Sequence, residues 1–304
     1  ALTTGADGSI YIAGSTGGDL DSQRSKVSDD AFISKFNPDG TKDWTRLLGS
    51  SYSDEATALT TGLDGSIYIA GNSDGYIAND HGWAPANPLG DAFISKFNPD
   101  GTKDWTRQIA APDIRIGLVG TTSSSENATA LTTGLDGSIY IAGSTNGDLE
   151  GQTNSDSGGY GGRTHDAFIS KYNADGTKEW TRLLGTSSYE YANALTTGSD
   201  GSIYIAGYTY GDLDGQTNNG NNDAFLTKFN PNGTKEWTRL LGSSHSNHGN
   251  ALTTGADGSI YIAGITLGDL DGQTHSGFTD AFLSKFNPNG TKDWTTLLGT
   301  SVAD

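Results

Sequence analysis

The chain contains no cysteine and no methionine. Without cysteine there are no disulfides, no thiolate metal sites and no thiol nucleophile. The missing initiator methionine points to a segment processed or excised from a longer chain. Basic residues are scarce: 18 Lys and Arg stand against 36 Asp and Glu, a formal charge of −18. A surface of that sign repels phosphate backbones and anionic lipid, which sets aside nucleic-acid binding and attachment to a membrane surface. Apolar residues make up only 33% of the chain. No apolar run reaches membrane-spanning length and there is no signal peptide, so direct membrane insertion is not expected. Few apolar residues and 44 glycines suit a turn-rich β protein with a thin, distributed core.

What the chain does have is repetition. The phrase ALTTG-x-DGSIYIAG begins at Ala1, Ala58, Ala130, Ala194 and Ala251. Each copy is followed by D-A-F-[IL]-[ST]-K-[FY]-N, starting at Asp30, Asp91, Asp166, Asp223 and Asp280, and then by a turn into K-[DE]-W-T. Self-similarity at a fixed period is the mark of a repeat architecture. In the fourth copy Ala194 to Gly198 reads as a short strand, and Ser199-Asp200-Gly201 as a tight turn. Ile203 to Ala206 is β-branched and aromatic. Ala224 to Phe229 alternates, and Asn230 to Gly233 turns into a last strand at Glu236 to Leu241. The result is two hairpins closed by Asp-Gly or Asn-Gly turns. No segment has helical periodicity.

Four antiparallel strands repeated five times predict an all-β fold, a five-bladed β-propeller in a single domain. The repeat units are 1–57, 58–129, 130–193, 194–250 and 251–304. Trp44, Trp105, Trp180, Trp237 and Trp294 are expected to fill the spaces between blades, and the small, polar ALTTG strand to line a central channel. Gly299 to Asp304 aligns with Gly49 to Asp54, so the set is circular but for three residues. That predicts a ring closed by five blades.

The motifs GSIYIAG-[SY]-T-x-GDLDGQT and DAF-[IL]-x-K-[FY]-N, with the turn into W-T-R-L-L-G, resemble the SBBP β-propeller repeat along essentially the whole chain. The resemblance implies a propeller from a bacterial secreted or cell-surface protein. It implies no activity, because that family is not defined by a catalytic mechanism.

The copies differ mainly in two kinds of loop. The loop between the second and third strands is lengthened in copy two, residues 72–90, and in copy three, residues 144–165. The link from copy two to copy three is also long, residues 111–129. In a four-stranded blade both loop types leave from the same face, so all three insertions crowd one face of two neighbouring blades. Loops over a rigid scaffold are where binding residues concentrate. The candidate ligand-binding set is Tyr76, His81, Trp83, Arg115, Tyr160, Arg163 and His165, whose aromatic and Arg or His chemistry suits an extracellular carbohydrate or a protein edge.

The GDLDGQT loops and the aspartate that opens each third strand are candidate Ca²⁺ ligands, since a hard cation takes several oxygen donors from an acidic, glycine-containing loop. The set is Asp19, Asp21 and Asp30; Asp148, Glu150 and Asp166; Asp212, Asp214 and Asp223; Asp269, Asp271 and Asp280. Turn capping by Asp212 and a positive φ at Gly215 account for the same residues without a metal.

His81, His165, His245, His248 and His275 are scattered over different loops, and no nucleotide fingerprint or nucleophile-base arrangement is visible. The expectation is therefore a non-catalytic binding or structural module. Its alternatives are a lectin with one site per blade, a surface-layer or filament protein that packs against copies of itself, and, least favoured, a hydrolase.

Overall fold

The computed structural model describes residues 1–25, 28–77, 90–110, 114–115, 121–122, 124–155 and 164–301. All helix and strand assignments among them are β. Blade one comprises β1 (Leu2–Thr4), β2 (Ile10–Thr16), β3 (Asp30–Phe36) and β4 (Lys42–Leu48). Blade two comprises β5 (Asp54–Thr61), β6 (Ile67–Ser73), β7 (Asp91–Phe97) and β8 (Lys103–Ile109). A two-stranded ribbon follows, β9 (Ile114–Arg115) against β10 (Thr121–Thr122), which the repeat does not announce. Blade three comprises β11 (Glu126–Thr133), β12 (Ile139–Thr145), β13 (Asp166–Tyr172) and β14 (Lys178–Leu184). Blade four comprises β15 (Glu190–Thr197), β16 (Ile203–Thr209), β17 (Asp223–Phe229) and β18 (Lys235–Leu241). Blade five comprises β19 (Asn247–Thr254), β20 (Ile260–Thr266), β21 (Asp280–Phe286) and β22 (Lys292–Leu298).

Within every blade the strands pair in chain order, neighbour to neighbour and antiparallel. The turns are those the sequence asks for. Gly201 has φ of 80°, and the Asp200 carboxylate accepts the Ser202 N–H at 2.9 Å, holding the Asp-Gly turn closed.

The core lies between blades. Each of four apolar clusters draws on two consecutive blades. At the second junction Tyr68, Ala70, Ile94 and Trp105 of blade two face Ile139, Ile141, Phe168 and Tyr172 of blade three. Alternation explains this economy. A strand's odd positions serve one neighbouring blade and its even positions the other, so one short β-branched strand seals two junctions. Each fully buried Ile or Phe contributes about 1.5–3 kcal/mol.

Two further devices lock the junctions. Trp44, Trp105, Trp180 and Trp237 each cover the turn glycine of the next blade, Gly101, Gly176, Gly233 and Gly290, so closely that an added Cβ would sit 2.8 Å from the indole. Beside each indole, Arg46, Arg107, Arg182 or Arg239 donates through Nε to that glycine's carbonyl at 2.8 to 3.1 Å. On the inner side, the hydroxyls of Thr61, Thr133, Thr197 and Thr254 donate to the backbone carbonyls of Thr4, Thr61, Thr133 and Thr197. These bonds set the first strands side by side, as expected of strands that surround a channel.

The five-bladed architecture is as expected, but the closure of the ring is not. Between blades five and one the described residues lack every device seen at the other junctions. Trp294 is 38% exposed and Leu298 77%, Leu2 is 69% exposed, and nothing lies within 4 Å of the position a Cβ would take on Gly40. Trp294 is thus not the filler that its four counterparts are. The alignment of the two chain ends predicts closure from sequence continuity alone. Closure also needs the two end faces to meet, and here they do not.

Candidate functional site

Blade four carries four tyrosines that the other copies lack. Tyr189 and Tyr191 lie at the start of β15, and Tyr208 and Tyr210 at the end of β16. The register sets Tyr191 directly opposite Tyr208, a cross-strand aromatic pair with centroids 5.2 Å apart. In the other blades the position of Tyr191 holds Glu55, Asn127 or His248, and that of Tyr208 holds Ser15, Asn72, Ser144 or Ile265. Because first strands start and second strands end on the loop face, all four rings gather there.

The neighbouring blades extend the row on both sides. From blade three, His165 stacks on Tyr191 at 5.3 Å and on Tyr189 at 6.0 Å. From blade five, His248 stacks on Tyr208 at 4.1 Å with planes 18° apart. Tyr189 and Tyr191 are nearly coplanar in orientation, 4° apart, and Tyr210 meets both Tyr189 and Tyr208 edge-on. Six rings from three blades therefore form one continuous surface. Its outer members, Tyr189 and Tyr210, are 41% and 45% exposed.

The row is uncharged at neutral pH. Burial holds both imidazoles, His165 and His248, below the ordinary histidine value. Burial likewise pushes the Tyr191 and Tyr208 phenols up. Polar edges remain: the Tyr191 hydroxyl lies 3.5 Å from His165 Nδ1, and His248 Nε2 is buried without a hydrogen-bond partner. On the same face of blade five a cavity of about 500 Å³ opens between Ser244, His245, Leu267, Asp269, His275 and Phe278.

Of the ligand-binding residues expected from the inserted loops, His165 belongs to this row and Tyr76 is exposed at the loop face of blade two. His81, Trp83, Tyr160 and Arg163, and the side chain of Arg115, lie outside what the structure describes.

The acidic loops are used one carboxylate at a time. Asp19, Asp148, Asp212 and Asp269 each accept a backbone N–H six residues on, at 2.8 to 3.1 Å, which closes the loop. Asp21, Glu150, Asp214 and Asp271 adopt left-handed backbone with φ of 53° to 56°. They pair with Lys42, Lys178, Lys235 and Lys292 on the fourth strand. Asp30, Asp166, Asp223 and Asp280 are buried at the start of the third strand. Each packs against the glycine that ends its blade's fourth strand, Gly49, Gly185, Gly242 or Gly299. The carboxylates of one loop thus face three different partners. No group of three or more His, Asp or Glu side chains placed to hold a metal occurs among the described residues.

Burial dominates the acids at the junctions. Asp166 is pushed up to about 6 by desolvation, with the Glu190 and Asp148 carboxylates adding to the effect. Glu190 across the junction is raised for the same leading reason, while its carboxylate accepts from Thr186 and Thr209.

An all-β propeller with a loop-face aromatic row is the class the structure defines. A family model described as a beta-propeller repeat, SBBP, matches residues 179–214, and a second, described as a DUF5122 beta-propeller, matches 198–236 and 255–295. The chain belongs to the SBBP β-propeller repeat family, as its motifs imply. It is 31% identical over 184 residues to the regulatory protein FlaEY of Caulobacter vibrioides, a match covering 57% of this chain and 19% of that protein. The chain spans less than a fifth of the length of the curated relatives it matches. Among solved structures it superposes on a PL25 ulvan lyase bound to -[GlcA(1-4)Rha3S]-, with TM-score 0.54 and 12% identity, covering 97% of this chain and 69% of that one. It superposes on polysaccharide lyase Uly1 with TM-score 0.50 and 10% identity, covering 97% and 71%.

Those two neighbours overturn the expectation of a non-catalytic module. The architecture shared with them carries catalysts. Scattered histidines were weak ground for that expectation, since a propeller gathers side chains from different blades onto one face, as His165 and Tyr191 show.

Proposed function

We propose that the loop face binds an extended, neutral glycan along the aromatic row of blades three to five. The observation that carries this reading is the continuity of the six rings from His165 to His248, with exposed tyrosines at the outer edge. The axial C–H groups of a sugar ring pack flat on aromatic faces, and phenol and imidazole edges supply hydrogen bonds to its hydroxyls. A row of several rings suits a chain of sugars rather than a single residue. With a formal charge of −18 and neutral imidazoles in the row, a uronate-rich or sulfated polymer would meet repulsion, so the favoured ligand is uncharged.

The test is affinity electrophoresis and calorimetry against neutral and uronate-containing polysaccharides, with release of new reducing ends followed in parallel. Retention by a neutral polysaccharide that is lost in Tyr191→Ala/Tyr208→Ala is the expected result. Equal retention of the double variant, or none of the wild type, sinks the reading. The turnover arm has its own structural motive. His165 and Tyr191 lie within reach of the hydrogen bond that proton transfer requires.

A further inference from the structure

The two uncovered ends of the blade array are the two halves of one junction. On the forward side of blade five, Leu283, Trp294 and Leu298 are exposed, while the matching Leu226 and Leu241 of blade four are buried against blade five. On the backward side of blade one, Leu2, Ile10, Ile12, Phe32 and Phe36 all remain partly or largely exposed. Their counterparts in blade two, Ile67, Ile69, Phe93 and Phe97, are sealed against blade one. Four internal junctions therefore specify, residue by residue, what covers each face. It is a blade of this same repeat, presenting the opposite face.

We infer that a second copy of this chain fills that place, its blade one docking on blade five of the first. Each copy carries both faces, and within one copy they do not meet, so the contact is heterologous and runs head to tail. Its register follows from the other junctions. Trp44 lies over Gly101 and donates to the Pro99 carbonyl at 3.3 Å. Trp294 takes the same position over Gly40 of the second copy, where nothing now lies within 4 Å, and donates to its Pro38 carbonyl. Apolar faces of this extent mark interaction surfaces on a soluble protein.

One residue departs from the pattern and tunes the contact. Where the other four blades place Arg46, Arg107, Arg182 and Arg239, blade five has Thr296. The junction between copies therefore lacks the guanidinium that clamps the turn glycine's carbonyl elsewhere. It is weaker than an internal junction and reversible, which suits assembly that depends on concentration.

The test is sedimentation velocity on the 304-residue chain over about 1 to 100 μM, a range that spans moderate association constants. Two blocked forms are made at exposed positions: Leu283→Arg/Leu298→Arg on blade five and Leu2→Arg/Gly40→Asn on blade one. Asn tolerates the left-handed backbone of Gly40, with φ of 82°. The expected result is concentration-dependent oligomers for the wild type, monomers for each blocked form, and a single heterodimer when the two are mixed. Thr296→Arg is expected to tighten association at least tenfold, restoring a charge-assisted hydrogen bond. The inference is overturned if the wild type and Thr296→Arg both stay monomeric, which would assign the faces to blades of another or a longer polypeptide. It is equally overturned if oligomers persist in both blocked forms. Loss of glycan binding in the Tyr191 and Tyr208 variants would leave this outcome untouched, because the row lies on a different surface.

Discussion

The ring of Tyr208 lies flat on that of His248, centroids 4.1 Å apart, although one belongs to blade four and the other to blade five. Elsewhere the apolar core of a junction is built from Ile, Phe and Trp between the sheets. Here a polar aromatic pair extends the contact up to the loop face.

Replacing Tyr208 by Ala is expected to cost about 1–2 kcal/mol in chemical denaturation, the worth of stacked contacts at a half-buried site. His248→Phe, which keeps a flat ring against Tyr208, is expected to stay within about 0.5 kcal/mol of the wild type. A Tyr208→Ala protein as stable as wild type would show that the stack adds nothing to the junction.

Acidity should act on Asp166 and on the two histidines in opposite directions. Asp166, held at about 6, binds its proton more tightly folded than unfolded. It therefore favours the native state at low pH, and that advantage is lost as pH rises from about 4 through 6. The cost of its buried charge above that range is about 3 kcal/mol at most. Asp166→Asn should accordingly raise the melting temperature more at pH 8 than at pH 4.5. His165 and His248, depressed by burial, bind protons more readily when unfolded. Their contribution is present above about pH 6.5 and is lost below it. A melting temperature for His248→Phe that falls as steeply as the wild type's below that pH would remove His248 from the account.

Gly176 and Gly40 occupy the same turn position with φ of 79° and 82°, but only Gly176 lies under an indole. Alanine at Gly40 should cost about 1–2 kcal/mol, the strain of left-handed backbone alone. At Gly176 the new Cβ would also collide with Trp105, and the expected loss rises to about 3 kcal/mol or more. Equal losses in denaturant titrations would mean that Gly40 is covered in solution.

The acidic loops should be indifferent to chelation, because Asp212, Asp214 and Asp223 already serve Asn218, Lys235 and Asn219 separately. The melting temperature in EDTA and in millimolar Ca²⁺ is expected to agree to within about 1 °C. A rise in Ca²⁺ of several degrees would show that these carboxylates converge on a cation instead.

The repeat made the fold legible because Ile, Tyr and Phe recur at one spacing and the Asp-Gly and Asn-Gly turns punctuate every strand. The open junction was not legible. Trp294 has the same local sequence as Trp44, and its exposure depends on whether two distant surfaces meet. Thr296 in place of arginine was the visible sign, one residue in a phrase otherwise constant. The aromatic row was also within reach. Searching for insertions drew attention to the loops of copies two and three and found only His165. Comparing copies position by position would have singled out Tyr189, Tyr191, Tyr208 and Tyr210, which arise without any change in length. Their meeting with His248 depends on the angle between blades, which no single repeat encodes.

The identical seating of Trp105 over Gly176 and Trp180 over Gly233 bears on how such a gene can change. Excising residues 130–193 would bring Trp105 to Gly233, a seat it already fits, and duplicating them would insert a blade between matching neighbours. Copy number is then free to drift by unequal crossing-over without breaking a core. A lineage of such proteins should vary first in how many blades it counts.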